Sequence, residues 1–148
     1  MTKKEYYEHE LGLADDWTEY LLKHSNLPGP RGNLELMQAF VEMGSENDFI
    51  PLLDNTPELA PVNSPEEFLA FCGTVGLGEL IANGIKEYLP DLRRQASDPR
   101  WRIREAVAMG MQIIGKPYDD KKVFQIAHAY EQVAPRLFTG KNMPDFRS

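Results

Sequence analysis

A single cysteine, Cys72, stands in a chain of 148 residues. One thiol forms no internal disulfide and builds no cysteine-based zinc cluster. The three histidines, His9, His24 and His128, are scattered. Glu5 lies one helical turn before His9, but two ligands fall short of the roughly four that a structural metal site takes. No metal and no cofactor are therefore expected. No stretch reaches the roughly eighteen uninterrupted apolar residues of a membrane span. The N-terminus, MTKKEYYEHE, has no hydrophobic segment behind its lysines, so it does not read as a signal peptide. These absences point to the cytoplasm. Neither Gly-x-Ser-x-Gly nor a dinucleotide-type glycine pattern after a strand is present. With no catalytic constellation in view, an enzyme is not expected.

Basic charge is scarce in the first half. Residues 1–67 hold fourteen acidic and four basic side chains, a balance of −10, whereas residues 86–122 hold nine basic and six acidic, a balance of +3. The whole chain carries −7. That disfavours non-specific nucleic-acid binding, which runs on phosphate neutralisation. It leaves room for a local basic face in the second half. Apolar content of 42% and charged content of 26% are those of a globular chain, and the length suits one domain, residues 1–148.

What is present is helical spacing. Residues 3–14 predict a peripheral helix with a ragged stripe of Tyr6, Tyr7, Leu11 and Leu13. Asp15 and Asp16 are placed to cap a second helix holding Trp17, Tyr20, Leu21 and Leu22, ending near Ser25. The loop Leu27–Asn33 contains Pro28, Gly29, Pro30 and Gly32, which exclude regular structure. Asn33 caps a third helix that ends at Gly44. Ser45 or Asn47 opens a short one with Phe49, Ile50, Leu52 and Leu53. An irregular stretch, 54–63, precedes Ser64-Pro65-Glu66-Glu67, a capping box with proline at the first helical position. Between Phe68 and Ala82 the only charged residue is Glu79. A helix apolar nearly all round is buried on both sides. Gly73, Gly76 and Gly78 within it imply close approach of neighbouring backbones.

The run from Ile85 to Gly115 reads as one helix–turn–helix unit. Its first helix carries Ile85, Tyr88, Leu89, Leu92 and Ala96. Asp98 suits an N-cap and Pro99 the first position of a second helix, whose stripe is Ile103, Ala106, Val107, Gly110, Ile113 and Ile114. Gly115 offers a left-handed C-cap, and Pro117 forbids continuation. Asp119 caps a last helix with Val123, Ile126, Ala127 and Tyr130 as its stripe. The tail from Pro135 is irregular. A faint internal repeat places Leu36 on Val107, Phe40 on Met111, Met43 on Ile114 and Gly44 on Gly115.

Over 85–115 the chain resembles a HEAT repeat. The residues that carry the likeness are Leu89, Leu92, Asp98, Pro99, Ile103, Arg104, Ala106, Val107, Ala108 and Gly115. Overall it is similar to small bacterial HEAT-repeat proteins of unassigned function. The resemblance implies an all-α, right-handed α-α superhelix (an armadillo-like solenoid) of about four helix pairs, the last incomplete. It also implies that Asp98 and Arg104 belong to polar ladders between repeats. An incomplete last pair needs a cover. Either the tail folds back or the natural protein continues.

Two candidate contact sites follow. Arg93, Arg94, Arg100, Trp101, Arg102 and Arg104 put five arginines around a tryptophan within twelve residues. Such a set suits phosphate or an acidic segment, with Trp101 as a stacking face or anchor. The plainer reading is a solvated turn, with Trp101 packed on the next unit. The loop around Arg31 leads to a helix N-terminus, where free N–H groups cradle anions. It is no P-loop, and a rigid corner explains it equally. Cys72 reads as a small buried hydrophobe and His128 as a packed histidine.

The leading expectation is a non-enzymatic protein-interaction or scaffold module that contacts a protein partner through Arg100, Trp101, Arg102 and Arg31. The alternative is a DNA-binding protein like the HEAT-like alkylation-repair glycosylases, to which the chain bears a more distant likeness. In those an Asp near tryptophans on the groove wall is required. Glu105, one turn from Trp101, is the nearest equivalent here, and Glu in place of Asp puts that role in doubt. A third reading is a homo-oligomer formed through Val123, Ile126, Tyr130 and Phe138. No membrane partner is expected.

Overall fold

The computed structural model describes residues 1–115. Among them seven α-helices and two short 3₁₀ segments follow one another without a strand, so the protein is all-α. The helices are α1 (Lys3–Leu13), α2 (Trp17–Lys23), α3 (Leu34–Met43), α4 (Glu46–Phe49), α5 (Pro65–Ala82), α6 (Leu89–Gln95) and α7 (Trp101–Ile114). One 3₁₀ segment, Ile50–Asp54, follows α4, and the other, Lys86–Tyr88, precedes α6. The expected last helix, with Asp119, Val123, Ile126, Ala127 and Tyr130, lies outside the described residues, as do Pro117, His128 and Phe138. The chain divides into two compact units, Met1–Gly73 and Thr74–Ser148, and α5 runs through the boundary.

In the first unit, side-chain caps fix where helices start. Thr2, Asp16 and Asn33 accept hydrogen bonds from the backbone N–H groups of Glu5, Glu19 and Leu36. Each satisfies one of the donors that a helix N-terminus leaves open. Helix α1 packs on α3, and Lys4 Nζ reaches Glu42 Oε2 at 2.7 Å across that contact. The core beneath is aromatic. Phe40 meets Trp17 and Phe49 edge to face, at centroid separations of 5.8 and 5.4 Å. Trp17 keeps its polar end satisfied by donating from Nε1 to the Leu11 carbonyl at 2.8 Å.

The capping box at α5 forms in altered shape. Ser64 Oγ accepts from the Glu67 N–H, but the Glu67 carboxylate reaches one residue further back and accepts from the Asn63 N–H at 2.9 Å. The Ser64 N–H is already bound to the Pro61 carbonyl, which leaves the Asn63 N–H as the open donor. Glu67 is wholly buried as a result. Burial is unbroken from Glu67 to Gly78, as the all-round apolar pattern of α5 requires. Two of its glycines are contact points. A Cβ on Gly73 would lie 2.9 Å from Leu52 Cβ, and one on Gly78 would lie 2.4 Å from Gly110 Cα.

The second unit departs from expectation at three places. The helix expected from Ile85 breaks into the 3₁₀ turn and α6, because Pro90 has no N–H and fits only a first helical turn. Helix α7 starts at Trp101 with Arg100 as its N-cap, whereas Asp98 and Pro99 were placed there from sequence. Arg100 is extended, at φ −81° and ψ 122°, so the helix cannot begin earlier. Gly115 is right-handed, with φ −80°, and not left-handed. Its N–H continues the helical bonding to the Met111 carbonyl, so no reversal is needed there.

Candidate functional site

The turn between α6 and α7 is built around Asp98. Its Oδ1 accepts from the Arg100 backbone N–H and from Arg100 Nε, each at 2.9 Å, and its Oδ2 accepts from Arg100 Nη2 at 2.9 Å. This is a bidentate carboxylate–guanidinium pair with the backbone as a third strut. Both side chains are nearly buried, with 8% of Asp98 and 3% of Arg100 exposed. Burial pushes the Asp98 carboxyl up. The hydrogen bonds and charge of Arg100, aided by Arg104, more than offset this and hold it below the ordinary carboxylate value. Arg104 Nη1 donates to the carbonyls of Asp98 and Pro99 at 2.8 and 3.0 Å. Asp98 and Arg104 thus bond within their own turn, where a ladder between repeats was expected.

The clamp presents Trp101. As the first residue of α7 it is 45% exposed. The Arg102 guanidinium sits 4.6 Å from its ring centroid, and Arg102 itself is buried. A cation against one face braces the ring, and nearly half of the residue stays open to solvent. Of the five arginines read as one basic surface, Arg100 and Arg102 are buried, Arg94 pairs with Asp91 at 3.2 Å, and Arg104 is exposed on its two carbonyls. Arg93 is half-buried on the core-facing stripe of α6, and its Nε is sealed from solvent with no hydrogen-bond partner among the described residues. Sequence pattern missed that placement, although position 93 lies one residue beyond Leu92 and four beyond Leu89. Glu105 is exposed.

The predicted site residues fall in both units. Arg31 belongs to the first, exposed on the corner before α3. That corner is tied down by polar contacts of its own. The Gly29 N–H donates to Asn63 Oδ1 at 3.0 Å, and the Asn33 N–H to the Ser25 carbonyl at 3.0 Å. Asn33 is the hub that sequence reasoning saw only as a cap. Its Nδ2 donates to Tyr7 Oη and to the His24 carbonyl, each at 2.9 Å. The Leu36 N–H at the start of α3 is occupied by Asn33, so the structure supplies a fastened corner there.

Elsewhere, Cys72 is fully buried, and burial raises its thiol well above the ordinary value, which keeps it protonated and unreactive. Tyr20 is pushed up to about 12, by burial and then by the Glu10 charge. Among the described residues, no group of three His, Cys, Asp or Glu side chains is placed to hold a metal ion, and no helix is long and apolar enough to cross a membrane.

The class of protein these features define is an all-α chain with a rigid, tryptophan-bearing inter-helix turn. No family model, no curated protein and no solved structure matches it.

Proposed function

We propose that this chain is a non-enzymatic protein-interaction module of the HEAT-like kind, a right-handed α-α superhelix, with Trp101 as its contact anchor. The observation behind this is the construction around the ring. A half-exposed tryptophan is stacked on one face by Arg102, seated on the first turn of a helix, and directly follows the Asp98–Arg100 clamp. Binding energy at protein interfaces concentrates in such aromatic residues, and a ring already held in place loses little entropy on docking. The HEAT-like reading draws on the Asp-Pro turn joining α6 to α7 and on the contact between those two helices.

A protein partner is favoured over nucleic acid because the chain carries −7 overall and two of the five arginines near the ring are paired with carboxylates. Arg100 is matched by Asp98 and Arg94 by Asp91. Arg31, on its fastened corner, is a second contact point of the same proposal. The test is a pull-down with the full chain against its Trp101→Ala variant, alongside a labelled duplex at low and raised salt. Partners retained by the wild type and lost by the variant support the module. Identical retention by both defeats Trp101 as the anchor, and salt-sensitive duplex binding turns the case toward nucleic acid.

A further inference from the structure

We infer that Asn83, at the end of α5, is a site of spontaneous covalent modification. The Asn83–Gly84 pair closes to a cyclic imide and reopens with an isoaspartate in the main chain. The inference does not rest on the proposed function.

Sequence and geometry single out the same position. Of the chain's asparagines, only Asn83 is followed by glycine. Ring closure needs the next backbone nitrogen to reach the asparagine side-chain carbon, and every other residue type crowds that approach with a Cβ. Asn83 and Gly84 are both exposed, and a Cβ built on Gly84 would meet nothing within 4 Å. The Asn83 amide is loosely held, with its Nδ2 at 3.5 Å from Glu79 Oε1, the long limit of a hydrogen bond. Three other asparagines are fastened more tightly. Asn33 Nδ2 donates to Tyr7 Oη and to the His24 carbonyl, each at 2.9 Å. Asn55 Nδ2 donates to the Leu52 carbonyl at 2.9 Å, and Asn63 Oδ1 accepts from the Gly29 N–H at 3.0 Å.

The backbone sets the pace. Gly84, at φ 100°, closes α5 in a left-handed cap. Its N–H donates to the Ile81 carbonyl at 2.9 Å, and the Ile85 N–H to the Leu80 carbonyl at 3.0 Å. While that N–H is engaged, the Gly84 nitrogen is held from losing its proton and attacking. Helix ends open locally at low cost. Once the cap opens, base removes the Gly84 amide proton and the nitrogen bonds to Asn83 Cγ. The Cγ–Nδ2 bond breaks, and ammonia leaves with a proton taken from solvent. Water then opens the imide. Cleavage of the new bond to Cγ leaves aspartate. Cleavage of the bond to the Asn83 main-chain carbonyl carbon leaves isoaspartate, with the chain running through Cβ and Cγ. The balance is amide and water in, carboxylate and ammonia out, with no oxidant or reductant.

The product does not fit the old cap. Isoaspartate lengthens the main chain before Gly84 by a methylene, so the two cap bonds lose their register. Either product also sets a carboxylate one turn from Glu79, at a helix end where the dipole is already negative. The modification therefore loosens the connection from α5 to the 3₁₀ turn that leads into α6.

The test follows the full chain over time at mildly alkaline pH, in native buffer and in guanidinium chloride, by peptide mass mapping with isoaspartate detection. Isoaspartate is diagnostic, because direct hydrolysis of the side-chain amide gives aspartate alone. The expected result is isoaspartate accumulating at position 83 ahead of every other asparagine, more slowly in the native chain than in the unfolded one. Asn83→Gln keeps the amide but enlarges the ring that must close. It should stay unmodified over the same period, with circular dichroism confirming that the fold is kept. A native chain whose Asn83 stays intact, or converts no faster than its other asparagines, overturns the inference. Aspartate without isoaspartate overturns the imide route, and equal rates in the two conditions overturn the control by the cap.

Discussion

Asp98 concentrates three jobs in one side chain. It neutralises Arg100, holds the Arg100 N–H, and so sets where α7 begins. Removing one partner of a buried ion pair is costly because the other charge stays behind without compensation, typically by about 3 kcal/mol or more. Asp98→Asn is therefore expected to lower the unfolding free energy by that order, read from urea denaturation. The pH dependence has a fixed sign. The folded carboxyl sits below its ordinary value. Its stabilisation is complete above roughly pH 4 and disappears as pH falls through the folded value. The stability gap between wild type and Asp98→Asn should narrow on acidification. A gap that stays constant to pH 2 would show that the carboxylate charge is not what matters.

Helix crossing is decided by two glycines that behave differently. A Cβ on Gly78 would drive into the Gly110 backbone, 2.4 Å from its Cα and 2.5 Å from its carbonyl oxygen. A Cβ on Gly110 would meet nothing closer than 3.4 Å, an ordinary contact. Gly78→Ala should cost about 1–3 kcal/mol, since backbone cannot move aside as a side chain can. Gly110→Ala should be near neutral, the added contact and the gain of up to about 1 kcal/mol in helix propensity balancing any small shift. Paired chemical denaturation of the two variants checks this, and equal effects would contradict it. That α5 needed close backbone contact was legible from its glycines, and its burial was legible from its composition. The caps at Asp16 and Asn33 were legible too, because capping is chemistry between neighbours in sequence. What stayed hidden depended on which donors were already taken. The Ser64 N–H was engaged, so Glu67 reached Asn63. An extended Arg100 delayed α7 by two residues. The arginine cluster misled for the same reason, because a count of charges does not say which of them face inward.

Charge on the whole molecule is lopsided as well as negative. Crowded carboxylates in the first half repel one another, while the exposed pairs there, such as Lys4 with Glu42, contribute only about 0–1 kcal/mol each. Repulsion should therefore dominate, and the thermal midpoint should rise as salt goes from about 0.01 to 0.15 M and the Debye length shrinks toward 8 Å. A falling midpoint would mean that attractive pairs outweigh the repulsion.

The Gly78–Gly110 crossing also bears on how this chain tolerates change. Substitution scales rank replacements by polarity or size, and on them the two positions are equivalent. At Gly78 the smallest possible step already meets backbone, so every amino acid is penalised together, hydrophobic and polar alike. Gly110 admits at least a methyl group. A map of every single replacement should show one uniformly destabilised column facing a more permissive one across the same contact. Sequence drift in α7 can therefore be absorbed at that crossing, while drift in α5 cannot.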